Sequence, residues 1–370
     1  VSFGEGGAGT FSDGKLKTMI RDKEHRGKKV FDIFIENGAD SDILYLQHPH
    51  LGTDKLKEII PSIRNKIIKM GGEFRFSTKL TDIKIENEKL VAVTLNDKEQ
   101  LPCNILVLAI GHSTRDTFHL LDDKNLLMES KPFAVGVRVM HYQKMIDKEQ
   151  YQNKIKKAPY KLTYQTKNHR GVYSFCMCPG GYVINSASEN NSLVVNGMSN
   201  YLRDSNTANS AIVVTVSKKD YGEGLFAGVK YQQELEKKAY LKGNGKIPVE
   251  YYQDFLNKKI TKKETDFAIL GAYTFTDLND ILPVTISDSI KEAMIEFNKK
   301  IKNFSDSNPL LAGVETRTSS PIKIIRDEKL ESNIKGIYPC GEGSGYAGGI
   351  TSSAIDGIKV AEEIIKKYYY

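Results

Sequence analysis

The residues best equipped for chemistry lie near the C-terminus, in the segment IYPCGEGSGYAGGITSSAIDGIKVAEEI (337–364). A short strand pattern runs into Gly341, Gly343, Gly345, Gly348 and Gly349, then into a helical pattern whose first turn carries Thr351, Ser352 and Ser353. The first N–H groups of a helix have no intrahelical acceptor, and the macrodipole favours negative charge beside them. Glycines let a ligand reach the backbone without a Cβ in the way. Glu342, just past the strand, can accept hydrogen bonds from ligand hydroxyls. Such an arrangement suits an anionic or carbonyl-bearing ligand, and a glycine-rich turn with good caps is the simpler alternative.

A second glycine cluster sits at the other end of the chain. Gly4, Gly6, Gly7, Gly9 and Gly14, with the five above, place a third of the 30 glycines in two short stretches. The loop Gly6, Gly7, Ala8, Gly9, Thr10 and Phe11 offers a nest-like array of N–H donors. Lys15 adds a positive charge there, or is simply an exposed loop lysine. The pattern G-x-G-x-x-G is met at 4–9, but without the preceding strand or following helix that a dinucleotide fingerprint requires. The chain opens on Val1 inside this cluster, which predicts that a segment is missing upstream.

Cys176 and Cys178 flank Met177 ahead of Pro179, Gly180 and Gly181. Two thiols two positions apart allow packing or turn roles, a pocket-lining redox role, or soft-metal ligation. A strand over 175–178 would put both sulfurs on one face. A structural metal site wants four ligands, and Cys103 and Cys340 stand in unrelated contexts, so no metal is assigned. His112 and His141 follow strand patterns without a visible partner, and His48 and His50 flank Pro49 in a loop.

These residues need elements to hold them. Thr53 or Asp54 can cap a helix carrying Leu56, Ile59, Ile60, Ile63 and Ile67, which Pro61 should kink or delay and Gly71 and Gly72 should stop. Period-two patterns then predict strands over 73–76, 80–85 and 90–95, with turns at Asn87 and at Asn96 and Asp97. The run 105–110 ends at Gly111 and reads as a strand buried on both faces of a parallel sheet. Strand patterns over 133–140, 183–186, 193–196 and 211–216, with helices over 229–242 and 287–302, describe a mixed, largely β second unit.

The 370 residues suffice for two domains, and 40% hydrophobic with 27% charged residues places the chain among globular proteins. Lys plus Arg exceeds Asp plus Glu by 53 to 46, a net charge of +7 without a basic stripe interleaved with aromatics, which argues against nucleic-acid binding. Four cysteines make no secreted disulfide framework. No signal-peptide core or membrane-length apolar run is present, which predicts a cytoplasmic protein.

The segment 337–364 resembles the second flavin-binding signature of Rossmann-type FAD oxidoreductases, with Gly341 and Glu342 where that family has Gly-Asp. GEGGAGTFSDGKL (4–16), HLGTDKL (50–56), ILVLAIGHS (105–113), FCMCPGG (175–181), NGMSNYLRDSNTANSAIVV (196–214) and ETRTSSPIKI (315–324) together resemble bacterial uncharacterised FAD-dependent dehydrogenases. The resemblance implies an α/β fold: a Rossmann-like FAD-binding domain over 1–128 and 316–370, incomplete at its N-terminus, with a largely β substrate domain inserted over 129–315. It implies FAD contacts at Gly6, Gly7, Ala8, Gly9, Thr10, Phe11, Lys15, Gly111, Gly341, Glu342, Tyr346, Ala347, Gly348, Gly349, Ile350 and Thr351. Arg138 and Arg317 are candidates to stabilise a reduced flavin, with ordinary ion pairs as the alternative, and Cys176 and Cys178 are weaker catalytic candidates. The expected function is oxidoreduction of a small molecule, with NAD(P)H or another electron donor. The rival is a binding or scaffolding module that keeps the fold and has lost FAD.

Overall fold

The computed structural model describes residues 5–18, 20–152, 154 and 157–369. Gly4, the first glycine of the pattern at 4–9, lies outside them.

Two β-branched segments form the spine. Phe133–Tyr142 and Thr207–Val216 pair antiparallel along their whole length, and all but one residue of each is buried. They lie inside a seven-stranded sheet ordered Tyr273–Phe275, Ile247–Tyr251, Leu310–Glu315, Phe133–Tyr142, Thr207–Val216, Gly171–Cys178 and Thr163–Gln165. Every pairing is antiparallel except the first. At Gly136 the two spine strands leave no room for a side chain, since a Cβ there would lie 2.0 Å from the Ile212 carbonyl oxygen. The helix Val284–Lys300 covers one face with Ile286, Ile290, Met294 and Phe297, all fully buried among Val135, Val137, Ile212 and Val214. Each such side chain contributes about 1.5–3 kcal/mol.

The rest of the chain is α/β. The meander Leu80–Glu86, Lys89–Leu95 and Glu99–Pro102 has left-handed turn residues at Asn87 and Glu88 (φ 49° and 59°) and at Asn96 and Asp97 (φ 53° and 58°). Such geometry favours short polar side chains and suits tight hairpins. Leu106–Leu108 then pairs in parallel with Ile337–Pro339, and the helix Ile350–Tyr368 follows the latter. This pair is the parallel sheet seen among the described residues.

Several sequence expectations need correction. The run 105–110 yields a strand only over Leu106–Leu108, and Val107 is 42% exposed while its neighbours Leu106 and Leu108, on the opposite face, are more buried, so one face of this strand is open. Residues 73–76 form no strand and pair with none. The helix Gly52–Lys69 runs through Pro61, and neither Thr53 nor Asp54 caps it. Thr53 Oγ1 donates to the Ser12 carbonyl at 3.1 Å, and Asp54 accepts the Tyr201 N–H at 2.7 Å. The glycine stop is present: Gly71 is left-handed (φ 92°) and the Gly72 N–H returns to the Ile67 carbonyl. Among the described residues no helix is long and apolar enough to cross a membrane.

Candidate functional site

Because Leu106–Leu108 and Ile337–Pro339 run parallel, their C-terminal ends open on the same side, and both continue into glycines. A Cβ on Gly343 would lie 2.3 Å from the Gly111 carbonyl oxygen, so the two loops touch backbone to backbone. Gly341 is left-handed (φ 72°), and its N–H donates to Asp356 Oδ2 at 2.8 Å. Burial alone would raise the Asp356 carboxyl, but hydrogen bonds from Arg326 and Gly341 outweigh it and hold the group below its ordinary value. Glu342 Oε1 meets His112 Nδ1 at 3.0 Å, while His112 Nε2 is buried without a partner.

Next to this junction is a cavity of about 560 Å³. One wall is the continuous run Tyr346, Ala347, Gly348, Gly349, Ile350, Thr351 and Ser352, and the rest comes from Lys15, Lys17, Thr18, Ile20, Tyr173, Phe175, Thr318 and Ser319. Leu16 is fully buried, which leaves Lys15 and Lys17 exposed on either side of it. Three hydrogen bonds fix this strap: Leu16 N–H to the Pro49 carbonyl (3.0 Å), Leu51 N–H to the Gly14 carbonyl (3.0 Å), and Thr351 Oγ1 to the Leu16 carbonyl (2.7 Å). Lys15 Nζ donates to the Met177 carbonyl.

The glycine wall is open to a ligand. The N–H groups of Ala347, Gly348, Ile350, Thr351 and Ser352 have no protein acceptor among the described residues. A Cβ built on Gly348 would meet no atom within 4 Å. The opening loop forms a 3-10 turn over Gly7–Phe11. Gly9 faces Ile350, at 3.4 Å from a built Cβ, so the two glycine clusters meet in space. Within that loop Thr10 Oγ1 is buried and unpartnered, and Lys57 lies over the Phe11 ring. Tyr346 is held by its hydroxyl on the Ile324 carbonyl and by Arg326 stacked 3.7 Å from its ring centre.

The candidate arginines are committed elsewhere. Arg138 is fully buried and bonds Glu315 (2.9 and 3.2 Å), the Cys176 carbonyl (2.9 Å), Asn209 (2.8 Å) and Asn196 (3.0 Å). Arg317 bonds both oxygens of buried Glu236 (3.0 and 2.7 Å), Ser113 (2.9 Å), Glu189 (3.2 Å) and Ser188. Arg115 joins the same carboxylates, Glu236 at 3.2 Å and Glu189 at 3.0 Å. A bulge at Cys176 (φ 43°) breaks the strand's alternation, leaving Cys176 exposed and Cys178 buried rather than both thiols on one face. Burial raises the Cys178 thiol above its ordinary value. His141 is buried against the Phe304 carbonyl at 2.6 Å, and burial lowers it to about 4. His50 bonds the Tyr201 carbonyl at 2.9 Å.

Residues 132–318 match the family described as FAD-dependent protein, C-terminal domain-like. An uncharacterized protein of Clostridium beijerinckii (strain ATCC 51743 / NCIMB 8052) is 47% identical over 380 residues, spanning 100% of this chain and 71% of that protein. The chain belongs to this FAD-dependent protein family. Looser likenesses are to a crystal structure of an oxidoreductase from Methanosarcina mazei (TM-score 0.33, 11% identity, 84% of this chain and 54% of that one) and to E. coli quinol fumarate reductase FrdA (TM-score 0.40, 10% identity, 93% and 56%). The chain thus spans about half the length of those solved chains. Superposition at that level is too loose to transfer an activity.

Within this family member the cavity straddles the matched region. Tyr173, Phe175 and Thr318 lie inside 132–318, whereas Lys15, Lys17, Ser319 and the 346–352 wall lie outside it. Sequence reasoning missed Lys17, Thr18, Ile20, Tyr173, Phe175, Thr318 and Ser319. The alternation of Tyr173 and Phe175 along one strand was a readable signal, whereas the fold alone brings the others to the cavity.

Proposed function

We propose that the chain holds FAD and serves a flavin-dependent oxidoreductase acting on a small molecule. One observation carries this reading: a seven-residue wall with five uncommitted N–H donors and clear space at Gly348 borders a cavity of about 560 Å³. Ligand pockets commonly fall between roughly 300 and 1,000 Å³. The residues present fit the cofactor. The Ala347, Gly348, Ile350, Thr351 and Ser352 amides would donate to phosphate or flavin carbonyl oxygens, and Gly348 has no side chain to obstruct the approach. Glu342, 32% exposed at its side chain, has a second carboxylate oxygen to receive a ligand hydroxyl. The loop Gly6–Phe11, with Lys15, would flank the same ligand, and Gly111 keeps the second strand end free of a Cβ.

When bound, FAD supplies the redox chemistry, and the protein supplies position and electrostatics. Arg326 and Asp356 fix the turn at Gly341, and Thr351 ties the helix start to the Lys15 strap. Arg138 and Arg317 act in this reading as supports, since each already has its carboxylate. The cofactor part would be the Rossmann-like halves 1–128 and 316–370, and 129–315 would be the substrate part. A nicotinamide donor or another reductant would close the cycle of a dehydrogenase-type reaction.

The test is direct. Purified chain mixed with FAD and passed through gel filtration should carry a visible flavin band at close to one per chain. Protein that emerges colourless, and quenches no flavin fluorescence on titration, defeats the reading and leaves a binding module in its place.

A further inference from the structure

The cavity has a second wall, of which the cofactor reading uses Lys15 alone and leaves Lys17, Tyr173, Phe175 and Ser319 without a task. Lys15 and Lys17 border it, and no Asp or Glu among the described residues does. Lys17 has no hydrogen bond or ion pair among the described residues, and Lys15 has only the Met177 carbonyl. An ammonium carries three donors, so this wall presents two positive charges with most of their hydrogen-bonding capacity unused. The nearby carboxylate Asp13 is already bound by Arg203 at 2.6 Å. A cavity that concentrates positive charge without a built-in counter-charge favours an anion.

Beside these lysines, Tyr173 and Phe175 reach the same cavity from alternate positions of the strand Gly171–Cys178. Their rings rest on the small side chains of Ala134 and Ala211 and form an apolar shelf. Flat aromatic faces favour offset stacking with another flat ring. Ser319, also at the cavity, has a hydroxyl with no protein partner among the described residues. Two cations, a ring shelf and a free hydroxyl on one cavity fit a ligand with an anionic head and a planar apolar body.

We propose that this wall binds a small aromatic carboxylate, its carboxylate on Lys15 and Lys17 and its ring on Tyr173 and Phe175. That this carboxylate is the substrate rests on the flavoprotein reading; its recognition rests on the cavity itself.

Benzoate is the probe, measured by equilibrium dialysis on the chain with and without added FAD, with flavin content read separately from absorbance. Benzoate should bind about tenfold or more tightly than neutral benzamide, and this advantage should shrink with added salt. Lys15→Met with Lys17→Met should weaken benzoate about tenfold and leave benzamide unchanged. Phe175→Leu should weaken benzoate while leaving acetate unaffected. Equal binding of benzoate and benzamide by the unaltered chain overturns the proposal without any variant. Displacement of benzoate by FAD, one for one, also overturns it, because the wall would then belong to the flavin. A chain that binds benzoate as described but retains no FAD upholds the recognition and defeats only the flavoprotein reading.

Discussion

His112 Nδ1 lies 3.0 Å from Glu342 Oε1, joining the loop after one parallel strand to the loop after its neighbour. A carboxylate only accepts, so Nδ1 donates here, while Nε2 is buried without a partner. Glu342 is positioned by this contact with one oxygen to spare. Glu342→Gln should therefore raise the FAD dissociation constant about tenfold, as expected for losing a hydrogen bond to a charged group. Flavin fluorescence titration reads the change, and an unchanged constant would remove Glu342 from the site.

Gly343 and Gly348, in the same loop, should respond to substitution in opposite ways. Gly348→Val adds a side chain where no atom lies within 4 Å, so thermal stability should hold while FAD retention is lost. Gly343→Ala puts a Cβ 2.3 Å from the Gly111 carbonyl oxygen and should lower the melting temperature by several degrees, with or without ligand. Melting curves and flavin content together separate the two effects.

The Arg138–Glu315 pair is fully enclosed, with the guanidinium at 0% exposure. Glu315→Ala leaves a buried guanidinium short of its carboxylate and should cost about 3–5 kcal/mol in denaturant unfolding. A loss below about 1 kcal/mol, the level of exposed pairs, would show the pair to be solvated.

Two buried carboxylates give opposite pH signatures. Burial would raise Glu236, but Arg317 and Arg115 outweigh it and hold the group at about 2, below its ordinary 4.5. The unfolded chain then binds the proton more readily, so stability on the order of 3 kcal/mol is present above pH 4.5 and disappears as pH falls toward 2. Glu236→Gln should flatten that acid limb in unfolding curves measured across pH.

Glu250 runs the other way, because burial pushes it up to about 8 from an ordinary 4.5. Its Oε2 accepts the Leu278 N–H at 2.9 Å, and Oε1 is buried without a partner. The folded chain holds this proton more firmly, so stability declines as pH rises from 4.5 through 8. Glu250→Gln should gain melting temperature relative to the unaltered chain at pH 9 and show little gain at pH 5.

Part of the local structure around the candidate cavity was legible because glycine and turn chemistry are local. Asn87, Asn96 and Asp97 adopt the left-handed geometry their residue types favour, and the wall 346–352 follows from glycines preceding a helix. Strands such as Ile247–Tyr251 and Leu310–Glu315 are short, buried runs whose period says little about helix or strand. Residues 73–76 have the strand pattern and no partner, and pairing is a property of the fold, not of the segment. The bulge at Cys176 is similarly non-local: Ala211 faces Phe175 and Asn209 faces Cys178, so the partner strand sets the extra residue. Arg138 finds Glu315 across 177 positions, beyond any spacing rule.

Arg115 and Arg317 share Glu236 and Glu189, and Ser113 joins them, binding the loop beyond Gly111 to the helix Ala227–Lys242. Separating those two pieces would bring four charges into water at once while undoing their mutual attraction. The segment bearing Lys15 and Lys17 is held differently, by main-chain bonds to Pro49 and Leu51, by Thr351 and by the single Asp13–Arg203 ion pair.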